Sequence, residues 1–358
     1  MSDGLDGVVA AETVLSHVDG AGGRLIRRGS DLEAVAGRQS LEATAAMLWR
    51  GLTDSLPDEA GMRAALGAAR VDAFRAMPAL LPLTRDLTLL EGLRLGLAGL
   101  SDRATQPHHL LVTAAIPVFV AALCRAAEGA APVAPDPTLG HAADFLRMIR
   151  GAEATPAETH ALETYLVTVS DHGLNASTFT ARVIASTQAG MISAVLGALC
   201  ALKGPLHGGA PGPVLDMLDA IGSVANARPW LEAALGRGER LMGFGHRVYR
   251  VRDPRADVLK SAVADLRGGA NRIAFAEQIE RAALEILQER YPGRRLDTNV
   301  EFYTALLLEA LHLPRDAFTA VFAAGRVIGW AAHILEQEAN GRLIRPQSKY
   351  VGPVPHAA

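Results

Sequence analysis

The chain has 358 residues and a formal net charge of −3 at pH 7, long enough to bury a large core and without the basic excess of a nucleic-acid-binding face. Hydrophobic residues make up 49% of it and aromatics only 5%, so Ala, Leu and Val carry the apolar content, which favours helices packed through small side chains and predicts an all-α protein. The acidic start MSDGLDGVVA lacks the cationic and apolar regions of a secretion signal, which points to the cytoplasm.

In chain order, Leu25–Leu52 offers Ser30 and Ser40 as helix N-caps. Leu87–Leu100 reads as a further helix. His108 and His109 invite a metal, but no third ligand falls at helical spacing, so none is expected. The apolar run Leu110–Cys124 should be broken by Pro117 and falls short of the roughly 20 residues of a membrane span. Cys124 and Cys200 lie in apolar runs without zinc spacing, as buried thiols of a reducing compartment do. After the proline-rich loop Ala130–Pro137, helices are expected over His141–Arg150 and from Pro156 to Ser170. The second delivers His172 at its C-terminal end, where a cationic imidazole would serve as a cap.

Gly204-Pro205 stops the run that begins at Met191, and Pro211 and Pro213 suit the first turn of the next helix. His207 then lies just before a helix N-terminus, which favours neutral imidazole able to donate to an oxygen gaining charge. Gly208-Gly209 would leave the backbone open to a ligand. A histidine in an ordinary helix–helix turn accounts for the same features. In Leu241–Leu259, Gly243 and Gly245 flank Phe244 before His246, a composition for backbone folded round a flat or anionic ligand. Asp253 reads as an N-cap with Pro254 first in the helix and Arg255 on its first turn. Arg247, Arg250, Arg252 and Arg255 suit either a solvated face or carboxylate and phosphate recognition.

Arg267–Ala270 reads as a glycine loop and Ala274–Gln288 as an amphipathic helix. Thr298 to Glu301 fits a capping box with Thr298 at the N-cap. Leu313–Glu338 reads as one long helix, started by Pro314 and stopped at Asn340-Gly341. On it Phe322 and Arg326 share a face with Gly329 and Trp330, so the arginine either snorkels to solvent or meets an anion.

The motifs GPLHGGA at Gly204–Ala210 and GFGHRVYRVRDPR at Gly243–Arg255 resemble the citrate synthase family. Three further segments keep the family's order: DHGLNASTFTARVIAST at Asp171–Thr187, NVEFY at Asn299–Tyr303 and IRPQSKYVG at Ile344–Gly352. The resemblance runs from about Leu25 to Val351 and includes forms shared with 2-methylcitrate synthases. It implies a large helical domain built from residues 1–208 and 313–358, with a smaller helical domain, 209–312, inserted. The implied reaction condenses acetyl-CoA with oxaloacetate and water to give citrate and CoA. A propionyl-CoA-dependent 2-methylcitrate synthase and a non-catalytic regulatory binder of CoA or dicarboxylate are the alternatives. By the same resemblance Glu301 is the base, His207 donates to the thioester oxygen and His246 polarises the keto carbonyl. His172, Arg255, Phe322 and Arg326 would hold oxaloacetate, with Arg345 reaching the neighbouring protomer's site in a homodimer. Gly243, Phe244, Gly245 and Arg250 would line the CoA side. Coenzyme A enters as a substrate thioester, with no cofactor, metal, nucleic acid or membrane implied. Glu301 stands where most members carry Asp.

Overall fold

The computed structural model describes residues 3–5, 7–207, 211–246, 248–266 and 270–353. Before the helices comes a small antiparallel meander that the composition does not predict. Strand β1 (Ser16–Asp19) pairs with β2 (Arg24–Arg27), Ser16 opposite Arg27, and β2 pairs with β3 (Ser30–Asp31). Ser30 is therefore a strand residue, and the short helix α1 (Leu32–Val35) starts after Asp31. Ser40 does cap α2 (Leu41–Trp49), its Oγ accepting from the Ala43 N–H at 3.1 Å.

Helices α3 (Glu59–Phe74), α4 (Met77–Leu80), α5 (Leu89–Ala98), α6 (His108–Ala127), α7 (His141–Arg150), α8 (Pro156–Val169), α9 (Ala176–Ala185) and α10 (Met191–Leu202) follow. A second group comprises α11 (Pro211–Ile221), α12 (Ala227–Gly236), α13 (Pro254–Ala264), α14 (Ala270–Arg290) and α15 (Val300–Ala310). The chain returns to the first group with α16 (Phe318–Asn340), stopped at Gly341 as expected. The Arg267–Ala270 loop falls on residues 267–269, outside the described residues, with Ala270 already in α14.

Helix α16 runs through the core against α2, α6, α8, α9 and α10. Small residues let it come close. A Cβ on Gly329 would lie 2.1 Å from the Ser170 carbonyl oxygen, and one on Gly325 would lie 2.6 Å from Val169 Cγ2. The middle of α16 thus meets the C-terminal end of α8 at backbone contact, which sets Arg326 beside His172.

Pro117 does not break its helix: α6 is continuous over 20 residues. Both α6 and the segment Arg315–Asn340 are long and apolar enough to cross a membrane, with mean hydropathies of 2.1 and 1.4. Their apolar windows are 78% and 89% buried inside the protein, so that apolarity is core packing. His109 belongs to the same core, its ring edge-on to Trp49 at 4.8 Å and its pKa held down to about 4 by burial. Cys124 is buried, but Cys200 is exposed on α10, contrary to the expectation from its apolar neighbours.

Candidate active site

Five segments converge where α8 ends against α16. At that end Arg27, from β2, donates to the carbonyls of Val167 (2.6 Å), Thr168 and Asp171 (2.7 Å). The cation capping α8 is therefore Arg27, fully buried. His172 has no such role: burial, then the charges of Arg255 and Arg326, push its pKa well below the ordinary histidine range. It is a neutral, half-buried imidazole with Nε2 3.2 Å from the Tyr249 hydroxyl.

His246 is fixed by its own loop. Its Nδ1 accepts from the backbone N–H groups of Val248 and Tyr249, each at 3.0 Å. The ring is neutral, its pKa lowered to about 4 by burial and then by Arg255. With Nδ1 an acceptor, the single ring proton sits on Nε2. That Nε2 lies 3.0 Å from Arg255 Nη2, which is also a donor. The two donors lie side by side, Nη2 already bound to Asp253, and a single acceptor in front of both could accept from each. Asp253 holds Arg255 in this position through Nε–Oδ1 and Nη2–Oδ2 bonds of 2.9 and 2.8 Å. The same carboxylate caps α13 through the Arg255 N–H, as expected, and accepts from the Val300 N–H, tying the starts of α13 and α15 together.

Arg326 adds a third buried cation, after Arg27 and Arg255. Its Nε donates to the Val169 carbonyl, its guanidinium carbon lies 4.8 Å over the Phe322 ring, and it is 2% exposed. Burial lowers its pKa to about 10. Among the described residues its remaining N–H groups meet no acceptor. The snorkelling alternative is excluded, because the head group is inside the protein. An unpaired guanidinium in such a place is costly until an anion joins it.

Glu301 lies on the first turn of α15. The N-cap is Asn299, whose Oδ1 accepts from the Glu301 N–H at 3.0 Å, while Thr298 Oγ1 donates to Glu280 at 2.6 Å. The capping-box expectation for Thr298 fails, and the Glu301 carboxylate accepts no hydrogen bond among the described residues. Burial raises its pKa to about 7 against the pull of Arg255 and Arg326. The glycines before His246 serve this junction. Gly243 and Gly245 have φ of 87° and 76°, a region that disfavours side chains. The Gly243 carbonyl accepts from the Asn299 N–H at 2.9 Å and the Gly245 carbonyl from Asn299 Nδ2 at 2.8 Å. Phe244, buried, packs on Phe302 at 5.5 Å.

His207 precedes α11 in the chain and also meets the N-terminus of another helix. The Ser177 N–H, at the start of α9, points at His207 Nε2 at 3.3 Å, so Nε2 accepts and the ring proton sits on Nδ1. The ring is neutral, with a pKa lowered to about 4 by burial and then by Arg326. Residues 208–210, between His207 and α11, and Arg247 lie outside the described residues. Arg250 and Arg345 are exposed and do not join the cluster; Arg345 sits on the extended segment after α16. Among the described residues there is no group of three or more side chains arranged for a metal.

A family model described as citrate synthase, C-terminal domain, matches residues 4–347. The chain belongs to the citrate synthase family. A putative citrate synthase 2 of Mycobacterium tuberculosis is 40% identical over 99% of this chain and 94% of its own. The crystal structure of citrate synthase from Thermotoga maritima superposes with a TM-score of 0.87 at 33% identity, covering 100% of this chain and 98% of that one. A ternary complex of Thermoplasma acidophilum citrate synthase with carboxymethyl coenzyme A and oxaloacetate gives 0.87 at 28% identity, with the same coverage. The chain is thus an acyltransferase of the citrate synthase type. Motif reading missed Arg27 and Tyr249. The first stands in the meander, at the head of the RRGSDLE stretch, which resembles the family's entry motif but carries no site role there; the second lies inside GFGHRVYRVRDPR, between His246 and Arg250.

Proposed function

We propose that the protein condenses acetyl-CoA with oxaloacetate and hydrolyses the resulting thioester to citrate and CoA. The observation that carries this reading is a cluster of donors from His246, Arg255 and Arg326 on neighbouring elements, set beside a carboxylate of raised pKa. His246 Nε2–H lies beside Arg255 Nη2 at 3.0 Å, where one acceptor in front of both, such as a keto oxygen, would bridge them. Arg326 and His172 offer donors to the two carboxylates. Glu301, with a pKa near 7, is a stronger base than an ordinary carboxylate and removes a methyl proton from the thioester. His207 donates to the thioester oxygen as negative charge develops there, and the resulting carbon nucleophile attacks the keto carbon. His246 gives its Nε2 proton to the new alkoxide. Both histidines act as neutral imidazoles, whose donors are already fixed by backbone N–H groups and need no reorganisation during reaction. Water then cleaves the thioester and releases CoA.

Oxaloacetate enters first in this scheme, because it supplies the anion that Arg326 lacks among the described residues. Residues 209–312 act as the small domain that closes on it. The exposed Arg345 completes the site of a second protomer in a homodimer, and Arg250 with the Gly243–Gly245 loop meets CoA. The exposed thiol of Cys200 suits a cytoplasmic location.

The test is oxaloacetate-dependent thiol release with acetyl-CoA and propionyl-CoA in parallel. Acetyl-CoA is expected to give the higher kcat/KM. A higher value for propionyl-CoA would make the enzyme a 2-methylcitrate synthase, and ligand binding without thiol release would make it a non-catalytic binder.

A further inference from the structure

Tyr249 touches three side chains of the site, and none of the roles above uses it. Its hydroxyl lies 3.2 Å from His172 Nε2, and its ring packs 4.7 Å from the His246 ring and 5.7 Å from the Arg255 guanidinium carbon. It is 2% exposed. Among the described residues, His172 Nε2 is the hydroxyl's only polar partner.

A neutral imidazole carries one N–H, and its surroundings choose which nitrogen holds it. Were the proton on Nε2, it would donate to the tyrosine oxygen, and the phenol hydrogen would be buried without an acceptor. The ring would then show an incoming carboxylate the lone pair of Nδ1. With the phenol donating to Nε2, both groups are satisfied and Nδ1–H becomes the ring's donor. We propose that Tyr249 is a positioning residue for the condensation, its hydroxyl fixing His172 in the Nδ1–H tautomer so that the ring meets the keto acid as a donor. The consequence for catalysis rests on His172 contacting oxaloacetate; the tautomer does not.

The deciding experiment is long-range ¹H–¹⁵N correlation on the ligand-free, ¹⁵N-histidine-labelled protein, with the His172 ring assigned by its loss in His172→Gln. The parent is expected in the Nδ1–H form, and Tyr249→Phe, which keeps the ring and loses the hydroxyl, shifts toward Nε2–H. In thiol release Tyr249→Phe should raise KM for oxaloacetate about tenfold, the scale of one hydrogen bond to a charged group, with kcat within about threefold. On the His172→Gln background the same change should move KM by less than about twofold, because coupled residues are not additive. An Nε2–H parent, an unchanged tautomer in the variant, or additive effects would overturn the proposal. A parent without thiol release would overturn the reaction and leave the tautomer measurement to decide Tyr249.

Discussion

Glu301 differs from the other carboxylates around the site in having no hydrogen-bonding partner among the described residues, whereas Asp253 is tied to Arg255 and Asp171 to His333. Its pKa near 7 gives two linked expectations. With Glu301 as the proposed base, kcat/KM of the free enzyme should fall about tenfold per pH unit below about 7 as it takes up a proton. His207 and His246, with pKa values of about 4, stay neutral there and add no limb of their own. For stability the sign follows from the raised value. The folded state binds this proton more tightly than the unfolded chain, whose glutamate titrates near 4.5. Folding is therefore unpenalised below about 4.5 and loses stability as pH rises from there to about 7. Glu301→Gln should melt above the parent at pH 8 and by a smaller margin at pH 5, while turnover falls by roughly 10²–10⁴. A variant with near-parental turnover and no pH-dependent gain in melting temperature would contradict both. In the proposed mechanism His207→Ala and His246→Ala each remove a donor aimed at developing charge. Each should lower kcat by about 10²–10³, measured by thiol release, with melting curves showing a folded protein.

At the scale of elements, the site depends on how closely α16 lies on the end of α8. Gly329→Ala would place a methyl group 2.1 Å from the Ser170 oxygen, so the helices must separate, at a cost of about 1–3 kcal/mol. The separation also draws Arg326 from His172. Calorimetry should show a lowered melting temperature, and KM for oxaloacetate should rise; parental values for both would show the crossing to be slack. What the sequence disclosed about these elements divides along sequence distance. Ser40 and Asp253 were legible as caps because a cap is a local contract between a side chain and an N–H two or three residues on. Thr298 was misread for the same local reason: its hydroxyl is claimed by Glu280 on another helix, which leaves Asn299 to cap. Pro117 was expected to stop α6, yet tertiary packing on both sides outweighs one missing N–H. His207 does precede α11 in the chain, and the Ser177 N–H at the start of α9 adds a contact that adjacency in sequence does not show. The meander carrying Arg27 gave no alternating pattern, since its strands have 4, 4 and 2 residues.

At the scale of the molecule, most of the residues singled out by the motifs are gathered by the fold, and Arg345 is an exception. His172, His246, Arg255, Arg326 and Glu301 come from segments spread between residues 172 and 326, and the fold brings them together. Arg345 does not arrive. It follows α16 on an extended segment whose Ile344 N–H is pinned to Ser186 Oγ at 3.0 Å, and its side chain is exposed. An arginine held outward on an anchored strap fits a role in another protomer's site, and a purely local role predicts otherwise. In the proposed homodimer, Arg345→Ala and His246→Ala should each leave the enzyme nearly inactive. If Arg345 serves the neighbour, a mixed dimer has one site with both lesions and one with neither, so co-expressed and doubly tagged heterodimers should recover about half of parental kcat per dimer. If Arg345 acts within its own chain, each site of the mixed dimer carries one lesion and activity stays at the level of the single variants. Purification through both tags ensures that mixed dimers are what is assayed, so an inactive heterodimer would count directly against a shared site.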